Sequence, residues 1–473
     1  MGTISTAFSL ISGALDADQA ALSIVANNVA NANTTGYTQE TPNWQENSPV
    51  EIGGISYGSG VTETGATSLR DRVLEERLNQ QQQSASASGS RLAALDTLQT
   101  LFTPDSGSTS SAAGDIGSDL TSFFSSFSSL EANPTNNALR QQVLSTATTL
   151  AGDISNAAAS VNAQRSALDQ EAAGVTSQVN ALTGAIAQLN QQIESTSPDA
   201  DAGTLEDQRQ QDLSQLSQLI GINQITTENN GLSITTTSGQ LLVSQGSSYQ
   251  LTSGTVGGVT DFFVGTENVT AGLTSGGGKL GGYLTARDQD IPSAMSALDQ
   301  LAYGISTQVN ALNNGGTDLS GATGTAASPL NIFSQPTQAA GSAIAMSVVM
   351  TDPGQIAAAG LGQGSGDNTN ATAMANLGNQ TIVGGSTPTN YYSNFVSTLG
   401  ATVSGVQAEN TAQNASVTQL ETQNNALSAV NLNDEASAMS TLEQSYQAGA
   451  QVFNMLNTIL TSALNLGQQT TVT

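Results

Sequence analysis

Few side chains in this sequence have the types and spacing that phosphate binding, metal binding or catalysis would need. The stretch GGGKLGGYL at 276–284 sets a lysine among glycines, as a phosphate-binding loop does. That loop also needs a glycine five positions before its Gly-Lys pair and a hydroxyl residue directly after the lysine. Here residue 273 is Leu and Lys279 is followed by Leu280. We therefore interpret the stretch as a linker between a sheet and a helix.

A second candidate is DADAG at 199–203, which is similar to the start of a calcium loop. In such a loop the third ligand stands at the fifth position and a glycine follows at the sixth. Gly203 stands where the third ligand should be. A solvated turn after Pro198 is the better interpretation.

Paired carboxylates could in principle act as an acid and a base. The pairs Glu75/Glu76 and Asp434/Glu435 have no histidine to work with, and the chain has no cysteine either. Acidic residues that follow Asn433 are typical of a helix N-terminus, where the helix dipole favours negative charge. We predict no catalytic residue, no cofactor and no metal site.

Charge limits the partners. The 473 residues carry 9 Lys and Arg against 37 Asp and Glu, a formal net charge of −28, and every cation lies between Arg70 and Arg287. Nucleic acids and anionic lipids need clustered cations, so we expect no nucleic-acid partner. No apolar run approaches the ~18 residues of a membrane-spanning helix, so we expect no membrane insertion. No cation precedes the first apolar stretch, so we expect no cleaved signal peptide.

The strongest signal is a row of apolar residues at alternating steps of three and four, which is typical of helices in left-handed coils. At the amino end the row is interrupted at Asp18, and at the carboxyl end at Gly449. We call these rows the terminal seams. Their large members at the amino end are Ile4, Phe8, Ile11, Leu15, Leu22, Val25 and Val29. Their large members at the carboxyl end are Met439, Leu442, Tyr446, Phe453, Leu456 and Leu460.

The same spacing continues inside the chain. The longest row runs from Leu144 to Ile193 with Arg165 as its interruption, and shorter rows cover 291–312 and 396–427. These rows predict helices that pack on one another within the chain. Because they are separated by other segments, we expect an elongated helical rod with both termini at one end.

Two segments break the helical pattern. Residues 221–279 alternate apolar and polar residues around the turn pairs Asn230-Gly231 and Ser238-Gly239, which predicts antiparallel hairpins. Residues 316–387 are rich in small residues, with a strand predicted at SAIAMSVVM, 342–350.

The predicted fold class is therefore mainly α with β insertions: paired terminal helices, a long coiled-coil-like rod and one or two small antiparallel β domains. The predicted domains are a terminal coiled-coil region, 1–36 with 432–473; a helical rod, 37–220, 280–315 and 388–431; a β insertion, 221–279; and a second, β-containing insertion, 316–387.

The stretch NNVANANTTGYTQ at 27–39 ends the first seam. Asparagine and threonine side chains compete with helical hydrogen bonds, and Gly36 can take the left-handed conformation that stops a helix. A helix stop is the simplest interpretation of this stretch taken alone.

Residues 20–39 also resemble the amino-terminal signature of the bacterial flagellar rod, hook and hook-associated axial proteins. The matching positions include Asn27, Asn28, Ala30, Asn31, Gly36 and Tyr37. Residues 430–460 are similar to the carboxy-terminal partner of that signature, and residues 281–321 to an internal stretch of hook-associated members. The chain departs from the usual pattern at Gln39, where many relatives carry Arg, and at Gly449 and Gln451.

The resemblance implies a structural component of the bacterial flagellum, a hook-associated protein that forms the junction between hook and filament. The terminal seams are then expected to form the subunit interface by self-assembly, being marginal as free helices and ordered by neighbouring copies. The implied partners are copies of the same chain, other axial proteins such as the hook protein and a neighbouring hook-associated protein, and an export chaperone near the carboxy-terminal helix. The implied location is the extracellular flagellum, reached through the flagellar type III export apparatus.

Alternatives remain open. The chain could be another axial protein (hook, distal rod or flagellin-like), although a hook protein is dominated by β domains. A secreted adhesin-like surface protein would explain the Thr/Gly-rich β segments but not the matched termini. An enzyme such as a cell-wall hydrolase ranks third, because the sequence offers no catalytic set.

Overall fold

The computed structural model describes residues 2–52, 54–102, 115–196, 201–228 and 230–469. Most of them are helical. The helices are α1 Gly2–Asn31, α2 Arg72–Thr100, α3 Ile116–Ala132, α4 Asn137–Thr196, α5 Thr204–Leu219, α6 Thr270–Gly276, α7 Gly278–Thr285, α8 Ile291–Gly315, α9 Thr369–Leu377, α10 Pro388–Ser428 and α11 Leu432–Gln469. The predicted class, mainly α with small antiparallel sheets, is confirmed.

The strands are short and antiparallel. They are β1 Glu40–Glu46, β2 Val50–Ile52, β3 Ile55–Tyr57, β4 Val61–Ser68, β5 Ile222–Thr226, β6 Leu232–Thr236, β7 Leu241–Ser244, β8 Ser247–Ser248, β9 Leu251–Val256, β10 Val259–Val264 and β11 Glu267–Asn268. They form two two-stranded ladders, β1–β4 and β2–β3, a sheet of order β5-β6-β7-β8, and a sheet of order β11-β10-β9.

The chain divides into two compact units. Unit one contains Met1–Gln82, Gln178–Leu251 and Asn414–Thr473; unit two contains Gln83–Ser177 and Thr252–Gln413. Both termini therefore belong to unit one. No helix in the described part of the chain is long and apolar enough to cross a bilayer.

The helical rows predict the long helices well. In α4 the row positions Ile154, Val161 and Val179 are fully buried, because a repeat of three and four keeps one face of the helix toward its neighbours. The interrupting Arg165 is only half-buried. Antiparallel strands lie between 222 and 268, whereas the end of the predicted β insertion is helical, in α6 and the start of α7. Leu232 and Ile234 are buried, and Gly239 turns with a φ of +86°.

Two segments differ from the prediction. The assignment of 37–220 to a helical rod is wrong for residues 40–68, which form the ladders β1–β4 and β2–β3. Their strands are too short and too rich in Thr, Glu and Ser to show a clear alternation of apolar and polar residues. We call residues 40–68 the ribbon.

The second correction concerns 316–387, every residue of which is described. It contains isolated bridges and α9 but no strand, so the strand predicted at 342–350 does not form. Backbone bonds join 342–350 to residues 332–334 at an isolated bridge, and asparagine side chains of α8 hold other parts of 316–387. Asn310 donates to the Phe333 carbonyl at 2.9 Å and accepts from the Phe333 amide at 3.0 Å, while Asn313 accepts from the Ala357 amide at 2.9 Å.

The glycine-rich stretch at 276–284 serves helix packing in unit two. A Cβ on Gly282 would overlap the Ala87 carbonyl oxygen and the Ser90 hydroxyl of α2. Ser90 also donates to the Lys279 carbonyl at 3.0 Å. Glycine is therefore required for α7 to cross α2 at this distance, and the phosphate-loop alternative has no support here.

Helices α7 and α8 are joined by a π-helical turn, Ala286–Asp290. Its Arg287 is buried and donates to Asp169 Oδ1 at 2.7 Å and to the Thr260 carbonyl at 2.6 Å. Asp290, at the end of the turn, accepts from Arg91 of α2 at 2.9 Å. The cations in this part of unit two are thus held by internal partners.

Candidate functional site

The terminal helices α1 and α11 pack against each other within one chain. Phe8 and Phe453 meet edge to face, with ring centroids 5.0 Å apart and an interplanar angle of 78°, a favoured geometry for aromatic pairs. Farther along, a Cβ on Gly449 would lie 3.0 Å from Leu15 Cδ2. The glycine that interrupts the carboxy-terminal seam is thus where α1 comes nearest to α11.

The structure brings both terminal seams together and leaves most of their side chains half-buried. Val25 is buried, whereas Val29 and Tyr446 are each 39% exposed. The half-buried members are Ile4, Phe8, Ile11, Leu15, Leu22, Met439, Leu442, Phe453, Leu456 and Leu460. A pair of helices covers only the facing side of each helix, so the flanks of both seams stay accessible.

A second apolar row on α11 faces outward. Val452, Met455 and Ile459 follow the same steps of three and four and are 38%, 60% and 53% exposed. We call them the outer row. Sequence reasoning missed it because only one seam was followed along this helix, although the spacing of the second row is equally regular. No described part of the chain buries it.

A buried asparagine organises the base of the helix pair. Asn28, 1% exposed, donates to Glu435 Oε1 of α11 at 3.0 Å and to the Glu40 carbonyl at 2.8 Å. Its own Oδ1 accepts from the Tyr37 hydroxyl at 2.8 Å and from the Glu40 amide at 3.0 Å. One amide group therefore connects α1, the chain that leaves it, and α11.

Glu435 accepts a second hydrogen bond, from Gln39 Nε2 at 2.7 Å. Gln39 also donates its backbone amide to the Ser428 carbonyl at 2.8 Å, at the end of α10. We call Asn28, Tyr37, Gln39, Glu40 and Glu435 the Asn28 cluster. Gln39, which stands where many relatives carry Arg, thus bonds to Glu435 through an uncharged amide.

Tyr37 is held as a neutral phenol. Burial, with help from the nearby carboxylates of Glu40, Asp207 and Glu435, raises its pKa to about 12. Its hydroxyl therefore keeps the proton that it donates to Asn28 at any ordinary pH. Gly36, with a φ of +81°, makes the turn that returns Tyr37 to α1.

The remaining signature residues lie on the exposed side of the same turn. Asn31 donates to Asn27 Oδ1 at 2.7 Å, and Thr34 donates to Asn31 Oδ1 at 3.2 Å. Ala30 is exposed. These bonds end α1 locally, as the sequence predicts for a helix stop, whereas Asn28 makes the long-range contacts.

The Asn28 cluster rests on an ion-pair network. The Thr38 amide donates to Asp207 Oδ2 at 3.0 Å, and Arg70 binds the other oxygen of Asp207 at 2.6 Å. Arg72 binds Glu206 at 3.1 Å. Both acids lie in the first turn of α5, where the helix dipole favours them. The two arginines nearest the amino terminus are thus paired inside unit one.

Carboxylates around this network respond to their surroundings. Burial raises the pKa of Glu40, with Asp201 and Asp207 adding to the shift and Arg70 opposing it. Burial pushes the pKa of Asp201 upward too, but bonds from the Gly203 and Ser68 amides outweigh it and lower the pKa. Asp201 of the former calcium-loop candidate therefore accepts amide hydrogen bonds in a turn.

Two of the other candidate carboxylates contact structural partners. Glu75 is buried, 4.0 Å from Arg70, and burial raises its pKa. Glu435 belongs to the Asn28 cluster. Among the described residues, no group of acidic side chains is arranged to hold a metal ion.

Comparison with known proteins gives matches to sequence models of single regions and to whole relatives. The sequence model of the flagellar hook-associated protein FlgK helical domain matches residues 106–327. That of the flagella basal body rod protein matches residues 11–38, the first seam and its terminating turn.

Several relatives match almost the whole of this chain. Flagellar hook-associated protein 1 of Salmonella typhimurium is 25% identical, over 96% of this chain and 98% of its own. That of Escherichia coli is 26% identical with the same coverage, and that of Bacillus subtilis 27% identical, over 96% of each chain. The solved flagellar hook junction protein FlgK from Burkholderia pseudomallei shares the fold, with a TM-score of 0.64 and 18% identity over 74% of this chain and 99% of that one.

Proposed function

We propose that this chain joins hook to filament by packing its terminal helices against neighbouring copies, as a member of the flagellar hook-associated protein 1 family that it resembles over most of its length. The matches with flagellar hook-associated protein 1 and with its helical-domain model confirm the resemblance to this family. The hook–filament junction role and the flagellar location come with the family, whose members are structural proteins. Packing between copies, and the residues that do it, are our proposal.

The observation that supports it is the outer row. Val452, Met455 and Ile459 form an apolar stripe that the single chain leaves in water. These side chains are 38–60% exposed, so covering the rest of each would contribute about half of the roughly 1.5–3 kcal/mol that burying such a side chain fully is worth. The terminal seams, half-buried in one chain, would be covered further by the same contact.

The Asn28 cluster supports the proposal in a second way. An assembly of many copies needs each helix pair held in one direction, because an error would repeat in every subunit. Bonds from Asn28 and Gln39 to Glu435 hold α11 against the turn that follows α1. The signature is therefore proposed to orient the helix pair, and the apolar rows to supply the adhesion.

The partners follow from the same surfaces. We propose that copies of this chain lie side by side and that other axial proteins meet them at either end. Before assembly an export chaperone would cover the outer row of α11. The chain would leave the cell through the flagellar type III export apparatus without a cleaved signal peptide.

The test is a charge placed on the outer row, with a matched control beside it. Ile459→Asp puts a carboxylate on the outer row; Asn457→Asp puts one on an exposed neighbouring position of the same helix. In a strain lacking the native protein, the Ile459→Asp chain is expected to be exported but to leave hooks without filaments. The Asn457→Asp chain should restore filaments and swimming.

Export is read from the culture medium, folding from circular dichroism, and filaments from electron microscopy. Normal filaments on hooks carrying Ile459→Asp would show that the outer row is not an assembly surface.

A further inference from the structure

The ribbon carries an apolar face of its own. In the β2–β3 ladder, Val50 lies opposite Tyr57 and Ile52 opposite Ile55, while Glu51 and Ser56 form the pair between them. Since side chains alternate across a strand, Val50, Ile55 and Tyr57 share one face and the polar pair takes the other. We call the former the ribbon face.

This face is uncovered in the single chain. Val50, Ile55 and Tyr57 are 43%, 60% and 46% exposed. A two-stranded hairpin is at best marginally stable in water unless something packs on it. Apolar side chains gathered on one face of such a short ladder indicate that another surface covers them.

The chain itself offers one surface of matching chemistry. The outer row of α11, Val452, Met455 and Ile459, is also apolar and also uncovered, and it belongs to the same unit. Two uncovered apolar surfaces at different places on one unit can satisfy each other only between copies. Such a contact is head-to-tail and repeats from copy to copy, which produces a ring or a helical array.

Charge favours the same pairing. The ribbon is acidic, with Glu40, Glu46, Glu51 and Glu63 and no cation. After Glu443 the chain has no charged side chain at all. The carboxy-terminal half of α11 is therefore a surface that an acidic ribbon can approach in this strongly anionic protein without repulsion.

We propose that the ribbon face of one copy covers the outer row of α11 in the next copy. This rests on the proposed function, because it names the part of the neighbour that covers the outer row. The ribbon is then an assembly element in its own right, and Tyr57 and Ile55 are its central contacts.

Hydroxyl-radical footprinting tests both ideas on the unaltered protein, since each surface contains a readily oxidised side chain. Tyr57 marks the ribbon face, Met455 the outer row, and the comparably exposed Tyr249 of the same unit is the internal reference. Oxidation is compared between the free chain and flagella isolated with their hooks attached. We expect Tyr57 and Met455 to react several-fold more slowly after assembly, relative to Tyr249.

The other outcomes separate the two proposals. If Met455 is protected while Tyr57 reacts as in the free chain, the ribbon contact is refuted and the assembly role of the outer row stands. If neither is protected, both proposals fail.

Cysteine pairs identify the partner surface, because the native chain has no cysteine. Chains carrying Ile55→Cys and chains carrying Ile459→Cys are produced together and oxidised after assembly. A disulfide-linked dimer is expected for this pair and not when Ser56→Cys, on the opposite face of the hairpin, replaces Ile55→Cys. Equal yields from both pairs, or no dimer from assembled flagella, would overturn the contact.

Discussion

Replacing Asn28 with alanine is expected to release the helix pair from its base. The change removes two donated and two accepted hydrogen bonds, to Glu435 and the Glu40 carbonyl and from Tyr37 and the Glu40 amide. The groups left behind are buried or partly buried. Each such group that loses its partner costs about 1–3 kcal/mol, more where a charge is involved.

Some of these groups regain water when the turn opens, so we expect a loss of about 3–4 kcal/mol in the free energy of local opening. Since 1.4 kcal/mol is a factor of ten, the amides near the Asn28 cluster in α1 and α11 should exchange hydrogen about 10²–10³ times faster. Amides of the buried middle of α4, in unit two, should not change.

Asn27→Ala is the matched control, because Asn27 is the same residue one position earlier but is exposed and bonds only locally, to Asn31. Its effect should stay within about 0.5 kcal/mol, as is usual for surface changes. Hydrogen exchange read by mass spectrometry compares the two variants directly. Equal exchange in both would refute the idea that Asn28 organises the helix pair.

Three further changes test other contacts. Gly449→Leu should separate α11 from α1, because even a Cβ there lies 3.0 Å from Leu15. The separation should appear as faster amide hydrogen exchange in α1. Unchanged hydrogen exchange would contradict the close approach. Gly282→Ala should lower the free energy of unfolding of unit two by about 1–3 kcal/mol or more, because the new methyl overlaps the α2 backbone. The control is Gly174→Ala on α4, which has open space around it. Urea unfolding should show this control to be neutral or stabilising. Burial is the largest cause that raises the pKa of Asp119 to about 7, and a hydrogen bond with Asp153, repulsion from Asp153 and the nearby Asp115 add to it. The folded chain therefore binds this proton more tightly than the unfolded chain does. The free energy of unfolding should fall as pH rises from about 4 through 7. Asp119→Asn should therefore be more stable than the native chain at pH 8 by about 1–2 kcal/mol after allowing for solvent, and close to it at pH 4; an equal difference at both pH values would argue against a shared proton.

Periodicity alone reveals the long helices, because a residue every three or four positions is enough to mark a buried face. It identified α4 through Ile154 and Val161, and it paired α1 with α11 through Phe8 and Phe453. What it could not supply is contact between distant polar groups. Asn28 and Glu435 are 407 positions apart, and neither residue type indicates that the other is its partner.

The β regions show a different limit. Residues 342–350 have the apolar content of a strand, but a strand needs a neighbour, and backbone bonds to residues 332–334 form an isolated bridge here rather than a ladder. In the ribbon the reverse occurs. Short strands with Thr and Glu pair well enough to form ladders, although the apolar pattern is hidden by a bulge between Pro42 and Trp44.

The π-helical turn at Ala286–Asp290 has a consequence for how this chain can vary. Such a turn accommodates one residue more than an α-helical turn, which offsets the rotational phase of the helix on its two sides by about 100°. Gly282 can thus contact α2 while Leu298 and Ile305, on the other side of the turn, are buried. In a uniform helix, the face that contacts α2 would fix the direction of the buried face of α8. Because the widened turn separates the two directions, the residues of one contact can change without rotating the other contact out of place.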